Sequence, residues 1–154
     1  MTIVKSFGAA LIATAALASP VPSLAATADI RQFECTFPRG HERDGFVPKT
    51  AVFKVDFDNG LAWVADRTTA HLSAAPIRAE MALLSPHKFQ LKWEVIAPMP
   101  RIWRTKNGIF ERGTSVNQRF HARLDIPKLK ANLTAGLTEA GIVDSDRGSC
   151  REIN

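Results

Sequence analysis

The chain has 154 residues, a formal net charge of +5 and two cysteines. This mild basicity comes without a long run of Lys or Arg, so the composition does not indicate a nucleic-acid-binding protein. Beyond the N-terminal region no segment is apolar for long enough to span a bilayer, and the remaining length suits one domain with one core.

The first 25 residues have the layout of a secretory signal. Lys5 provides a positive start, an uncharged Ala-rich run covers residues 6–18, and residues 23–25 (Ser-Leu-Ala) fit a small-x-small cleavage site. The run is shorter than the roughly 20 apolar residues that a membrane anchor needs. We therefore expect residues 1–25 to be a signal peptide and residues 26–154 to form a single domain that is periplasmic or secreted.

The two cysteines lie far apart, Cys35 near the start of this domain and Cys150 near its end. In an oxidising compartment an even number of cysteines indicates a disulfide. No His stands beside either residue to activate its sulfur, so a redox motif is not indicated. We expect a Cys35–Cys150 bridge that joins the first strand to the C-terminal segment. In the chain-entropy model, closing so long a loop stabilises the fold by about 4–5 kcal/mol.

Apolar and polar residues alternate repeatedly along the chain, which is the pattern of half-buried β-strands. The clearest case is the segment 88–96, whose apolar face consists of Phe89, Leu91, Trp93 and Val95. Further alternating segments are 33–37, 53–57, 120–126 and 129–133, with a less regular strand at 77–84 and a hairpin near 101–112. We predict an all-β fold, an antiparallel meander of about eight strands closing into a small barrel whose termini are clasped by the disulfide.

The turn after the second strand allows its register to be predicted. Residues 58–60 (Asp-Asn-Gly) form a hairpin signal, and a three-residue loop with Gly60 in the left-handed conformation pairs Val55 with Trp63. This register gathers the apolar residues on one face. We therefore expect Trp63 to point into the barrel.

Two longer connections and the C-terminus lack clear strand signals. The charged, turn-rich segment 39–49 is predicted to be an exposed loop. The segment 66–75 is predicted to be a second long connection that contains a helical turn. Residues 136–154 are predicted to be irregular.

An eight-stranded barrel either fills its interior with side chains or holds one small ligand there. The predicted inward side chains are apolar and bulky, so an internal ligand would be apolar or aromatic, and a filled core is the plain alternative. The indole N–H groups of tryptophans need hydrogen-bond partners when they are buried. The residues that we expect to line a ligand site are Trp63, Trp93, Phe53 and Phe89.

Catalytic and metal-binding patterns are missing from the sequence. The four histidines, at positions 41, 71, 87 and 121, form no His-x-His or His-x-x-x-His pair, and there is no Gly-x-Ser-x-Gly motif. Thr68, Thr69 and Ser73 lie near His71 in one loop, but a catalytic site also needs a third, orienting group. We predict no catalytic residue, no metal site and no cofactor.

The order of elements resembles that of known small barrels. The signal segment, the opening Phe33-Glu34-Cys35, the alternating strands and the late Cys150 resemble small bacterial periplasmic β-barrel proteins. The outline is also similar to lipocalins and to the inhibitors of c-type lysozyme, which are small barrels closed by a disulfide. The chain has no Tyr and so lacks the Ser-Gly-x-x-Tyr motif of those inhibitors, and Phe33-Glu34-Cys35 departs from the lipocalin Gly-x-Trp. The resemblance therefore implies a fold and a compartment but no site residue.

Three hypotheses of function follow. The first is an exported, non-enzymatic barrel that binds a small apolar ligand or an envelope partner. The second is a protein-interaction or inhibitor module that acts through loops 39–49 and 66–75. The third is a hydrolase that uses His71. None of them involves nucleic acid or a membrane span after signal cleavage.

Overall fold

A computed structural model describes most of the chain from Asp29 onward. The predicted signal segment, residues 1–25, lies outside the described residues. Within the described part, no helix is long and apolar enough to cross a membrane. The described ranges are 29–41, 45–70, 72–105, 108–137 and 140–154.

The described residues form ten strands and one short helix. Their bounds are β1 Ile30–Thr36, β2 Thr50–Asp56, β3 Leu61–Asp66, α1 Arg67–Ala70, β4 Ile77–Ser85, β5 Lys88–Pro98, β6 Trp103–Thr105, β7 Gly108–Phe110, β8 Ser115–Asp125, β9 Lys130–Leu137 and β10 Ile142–Ile153.

Eight of these strands form a closed antiparallel barrel, which confirms the predicted all-β meander. Around the wall the order is β1, β10, β9, β8, β5, β4, β3 and β2. Apart from the β1–β10 pairing, each pairing joins two wall strands that follow one another in the chain. The strands β6 and β7 form a separate hairpin, inserted in the chain between β5 and β8. Closure comes from the pairing of β1 with β10.

Cys35 and Cys150 form the predicted disulfide. They stand directly opposite each other in the β1–β10 pairing, so the bridge crosses the pairing that closes the barrel. Cys35 is fully buried on the inner side of β1. The bond therefore joins the first and last strands of the wall, close to both ends of the domain.

The middle of the barrel is filled by side chains. In β5 the predicted inward residues Phe89, Leu91, Trp93 and Val95 are each at most 6% exposed, because alternate strand residues point to the same face. Aromatic rings from opposite sides of the wall meet inside, since the Phe33 ring of β1 lies 6.3 Å from the Phe89 ring of β5. The interior thus takes the filled form of a small barrel.

The turn between β2 and β3 is one residue longer than predicted. Asp56 pairs with Leu61, so the four residues 57–60 reverse the chain. Gly60 has φ 63°, the left-handed conformation that was expected. Asp56 fixes the longer turn, because its carboxylate accepts hydrogen bonds from the backbone N–H and the side-chain amide of Asn59, at 3.0 and 2.8 Å.

The expectation that residues 136–154 are irregular is wrong. The strand β9 runs to Leu137, and β10 is a twelve-residue strand that pairs with both β9 and β1. Its inward positions include Asp144, Asp146 and Gly148 where a strand signal needs apolar residues. The alternation on which strand prediction depends is therefore missing from β10.

The connection between β1 and β2 is also different from the exposed loop expected at 39–49. Its residues 45–48 are buried. The Phe46 ring packs 5.7 Å from the Trp103 ring of β6, and the Phe46 N–H donates to Asp144 of β10 at 3.0 Å. This loop and the β6–β7 hairpin pack together over one end of the barrel.

The connection 66–75 contains the predicted helical turn, α1. Asp66 and Thr69 cap it reciprocally, because the Thr69 N–H donates to the Asp66 carboxylate and the Asp66 N–H donates to the Thr69 hydroxyl, both at 2.8 Å. This pattern is a capping box in which Thr replaces the usual Glu or Gln. Thr68 and Thr69 are buried against the barrel.

Asp146 anchors the loop between β1 and β2 by hydrogen bonds that depend on its charge. Its carboxylate accepts the backbone N–H groups of Arg39 at 2.6 Å and Arg147 at 2.7 Å, and the Arg39 side chain at 3.2 Å. Burial by itself raises the pKa of Asp146, but these hydrogen bonds outweigh burial and hold the pKa below its ordinary value. A carboxyl with a depressed folded-state pKa stabilises the fold above its ordinary pKa, and this stabilisation is lost as the pH falls through the folded-state pKa.

We expect Asp146→Asn to lower the free energy of unfolding by about 1–3 kcal/mol near neutral pH, because an amide cannot accept all of these hydrogen bonds. The variant should also lose less stability than the wild type below about pH 4, the ordinary range of an Asp carboxyl. Urea unfolding across the acidic range measures both effects. The matched control is Glu111→Gln, which removes the same charge from an exposed site. Equal acid losses in wild type and Asp146→Asn would contradict the assignment.

Candidate functional site

A cleft opens in the barrel wall where β4 and β5 part. Pairing of β4 with β5 begins at Glu80, which stands opposite Lys92, and continues toward the end of β4. Before Glu80, residues 77–79 pair with β3 instead. The opposite edge of β5 stays paired with β8 as far as Pro98. From Trp93 onward, the edge of β5 that faces β4 therefore has no strand partner among the described residues.

The cleft at this opening has a volume of about 860 Å³. Gly60 of the β2–β3 turn lines it, together with residues 78–81 of β4, 92–94 of β5 and 119–121 of β8. Successive strand residues point to opposite faces, so the lining combines inward apolar side chains with outward charged ones. Such a mixture suits a ligand that has both an apolar and a polar part.

Trp93 is the centre of the apolar lining. Its ring stacks on Phe120 with centroids 5.1 Å apart and planes 8° from parallel, and it meets the Phe53 ring edge-on at 6.0 Å. Trp93 is only 4% exposed, and its buried indole Nε1 has no hydrogen-bond acceptor in the described part of the chain. An unsatisfied buried donor costs about 1–3 kcal/mol. The Nε1 atom is closed off from solvent and belongs to the buried wall behind the cleft.

The charged rim of the cleft has an excess of unpaired cations. Glu94 is already bound by Arg119, whose Nε donates to it at 2.7 Å. The side chains of Arg78, Lys92 and Glu80 have no ion pair or hydrogen bond within the described residues. These three groups together leave one net positive charge at the mouth of the cleft.

His121 lines the cleft beside this rim, and its surroundings lower its pKa. The ring is half-buried, and its Nε2 lies 3.1 Å from Gln90 Oε1. Burial lowers the pKa of His121, and the positive charges of Arg123 and Lys92 lower it further. The imidazole is therefore neutral at physiological pH, and the positive charge near the cleft belongs to Arg and Lys.

Only some of the residues predicted to line a ligand site lie at the cleft. Trp93 lines the cleft. Phe53 and Phe89 are fully buried in the core, where Phe53 supports the Trp93 ring and Phe89 packs against Phe57 at 5.6 Å. These two phenylalanines stand behind the cleft as part of the filled interior.

The expectation that Trp63 points into the barrel is wrong. With the longer β2–β3 turn, Ala62 and Val64 take the inward positions and are fully buried. Trp63 faces outward between Lys54 on β2 and Arg78 on β4, and the Lys54 Nζ lies 5.8 Å from its ring centroid. Trp63 therefore stands on the outer face, one strand away from the cleft.

A second pocket of about 260 Å³ lies at the covered end of the barrel. Its lining includes Gly45, Arg67 and Gln118. Arg67 is already engaged, since it donates to the carbonyl oxygens of His41 at 3.2 Å and Gly45 at 3.0 Å. Gln118 likewise donates its amide to two carbonyl oxygens of β5. Arg67 therefore holds the covering loop and Gln118 holds the end of β5, so both side chains are engaged within the protein.

Among the described residues, no three His, Cys, Asp or Glu side chains cluster as a metal site. His71, on which the hydrolase hypothesis depends, lies outside the described residues. That hypothesis stays a prediction.

The rim residues Arg78 and Lys92 were not predicted from the sequence. In the sequence they are ordinary polar positions of two strands, and they flank an opening only because β4 changes partner beside them. One signal was available in β4, where Ala82 and Leu84 interrupt the polar positions and Leu84 is 53% exposed. These apolar outward residues lie in the part of β4 beyond its pairing with β3.

No protein-family model, curated protein or solved structure matches this chain. The resemblance to small periplasmic barrels, lipocalins and lysozyme inhibitors therefore stays a prediction.

Proposed function

We propose that this protein is an exported, non-enzymatic barrel that binds a small, largely apolar ligand in the cleft between β4 and β5. The observation that carries the proposal is the parting of the two strands at Glu80, which opens the wall beside Trp93. The volume of about 860 Å³ falls within the range of about 300–1,000 Å³ that is usual for small-molecule sites. Because the interior is filled, the ligand sits in the wall and not at the centre.

Location in the periplasm or outside the cell is part of the proposal. Disulfides form and persist in oxidising compartments. The Cys35–Cys150 bridge supports such a location, and the signal pattern of residues 1–25 agrees with it.

Two alternatives, the interaction or inhibitor module and the envelope partner, have less geometric support. An interaction or inhibitor module acting through loops 39–49 and 66–75 needs exposed recognition loops, whereas residues 45–48 are buried. An envelope partner is the alternative occupant of the cleft region, because Leu83 and Leu84 are 60% and 53% exposed where β4 has left β3. Exposed apolar residues on an unpaired strand edge are a surface that another chain can cover.

Native mass spectrometry of the protein, purified gently from its own host, tests the proposal. We expect a reproducible extra mass of small-molecule size that is released on denaturation. Met81→Trp should remove it, because Met81 lines the cleft and the larger side chain fills it. The matched control Trp63→Phe changes an outer-face ring and should keep the ligand.

A bare chain in the wild type, or a ligand that survives Met81→Trp and is lost in Trp63→Phe, would overturn the cleft as the binding site. An extra mass of polypeptide size would replace the small ligand with the envelope partner. Circular dichroism of each variant establishes that the barrel is folded before the masses are compared.

A further inference from the structure

We infer that the ligand of the cleft is an anionic amphiphile, a carboxylic acid with an apolar body, and that Arg78 and Lys92 bind its carboxylate. Because it names the chemical class that the same cleft takes, the inference rests on the proposed function. It adds a charge, a head group and two binding residues to that function.

The charged cleft side chains without an ion pair or hydrogen bond among the described residues are two donors, Arg78 and Lys92, and one acceptor, Glu80. Glu94 is already bound by Arg119. Donors without acceptors are complemented by a ligand that brings oxygen acceptors, and a carboxylate is such a group.

The positions of the cations fit a head group at the mouth of the cleft. Lys92 is the last residue of β5 that pairs with β4, and Trp93 is the first residue beyond the parting. Arg78 lies across the opening on β4, two residues before Glu80 and on the same outward face. A carboxylate at the mouth therefore meets one cation from each side of the opening, and Arg offers it two parallel hydrogen bonds.

The apolar body follows from what lies behind the cations. Ala79 and Met81 of β4 face inward beside the Trp93–Phe120 stack, and all four line the cleft. A chain or ring that enters between the strands is surrounded by these side chains. Its burial there gains roughly 25 cal/mol for each Å² of apolar surface removed from water.

The charge balance selects a monoanion. The unpaired groups Arg78, Lys92 and Glu80 leave one net positive charge, which a single carboxylate neutralises and a dianionic phosphate would exceed. The half-buried His121 adds no positive charge, since burial and then the nearby Arg123 and Lys92 depress its pKa. A cationic amphiphile would meet the same excess as repulsion.

Titration of the 15N-labelled full-length mature chain with three matched probes tests the inference. The probes are decanoate, decanamide and decylammonium, which share one chain and differ in the head group. We expect decanoate to shift the Trp93 indole resonance, assigned with Trp93→Phe, and to bind about tenfold more tightly than decanamide, as charge-assisted hydrogen bonds predict. Decylammonium should bind more weakly than either.

Substitutions identify the residues that hold the head group. Arg78→Gln and Lys92→Gln should each weaken decanoate binding about tenfold and leave decanamide unchanged. The matched control is Lys88→Gln, on the same outward face of β5, where Lys88 pairs with Asp125 at 3.5 Å and does not line the cleft. It should change neither affinity.

The outcomes are distinguishable. If decanoate and decanamide both shift Trp93 with equal affinity, the carboxylate inference is overturned while the cleft stands as the ligand site. If Lys88→Gln weakens decanoate as much as Lys92→Gln does, the effect is one of net charge and the two binding residues are wrong. If none of the probes shifts Trp93, the carboxylate inference is overturned, and the cleft falls with it when the native protein also carries no ligand.

Discussion

Replacing Cys35 and Cys150 together with alanine should lower the free energy of unfolding by about 5 kcal/mol. The bridge joins residues 115 positions apart, and in the chain-entropy model a closed loop of this length restricts the unfolded chain by about that amount. Small domains are stable by only about 5–15 kcal/mol. The variant should therefore be close to unfolding at room temperature, and urea denaturation followed by tryptophan fluorescence measures the loss.

The control for this experiment is the oxidised and the reduced wild type, because reduction breaks the bond without deleting a buried sulfur. Reduced wild type and the double variant should agree to within about 1–1.5 kcal/mol, the cost of the small cavity left at Cys35. The prediction would be contradicted if the free energy of unfolding of the double variant lay within about 1 kcal/mol of that of the oxidised wild type. Strand pairing alone would then hold the β1–β10 closure.

Phe53→Ala should lower the free energy of unfolding by about 3–5 kcal/mol, the usual loss when a fully buried phenylalanine is truncated. Phe53 has no exposed surface and supports the Trp93 ring edge-on from across the interior, while Trp93 rests on Phe120. Removing Phe53 leaves a void beside Trp93, at one end of this row of three rings. Equilibrium unfolding in urea gives the difference in free energy.

Trp63→Ala is the informative comparison for Phe53→Ala. Trp63 lies on the outer face with Lys54 over its ring, so its truncation should cost about 1 kcal/mol or less. A loss as large as that of Phe53→Ala would mean that Trp63 points inward. The register of the β2–β3 turn would then be the three-residue one predicted from the sequence.

The parts of the fold that could be predicted are those where burial and alternation agree. The alternation in β5 indicates a sheet with one buried and one exposed face. The cysteine pair indicates that the first and last strands meet and close the barrel. The strand β10 could not be predicted, since Asp144 and Asp146 occupy inward positions and are satisfied by backbone N–H groups of the covering loop. Those hydrogen bonds link residues about a hundred positions apart and leave no local pattern.

The candidate site was predictable only in its apolar part. Trp93 was identified because the strand pattern places it inward and its indole N–H needs a partner. Arg78 and Lys92 were not, because their meeting depends on where β4 stops pairing with one neighbour and starts pairing with the other. This register depends on the pairing of the whole sheet and cannot be predicted from the residues of either strand alone. The predicted orientation of Trp63 was wrong for a related reason, since the Asp56–Asn59 hydrogen bonds add one residue to the turn.

The meander also sets the order in which the barrel is assembled. Seven of the eight pairings in the described wall join consecutive wall strands, and only the β1–β10 pairing joins the two ends of the chain. Such local pairings form at little loop-closure cost, so a chain delivered N-terminus first can complete six of them before β10 arrives. Until then the free edge of β1 exposes unpaired backbone groups and the Cys35 thiol has no partner. Trapping of free thiols during refolding would therefore count the barrels that are still open.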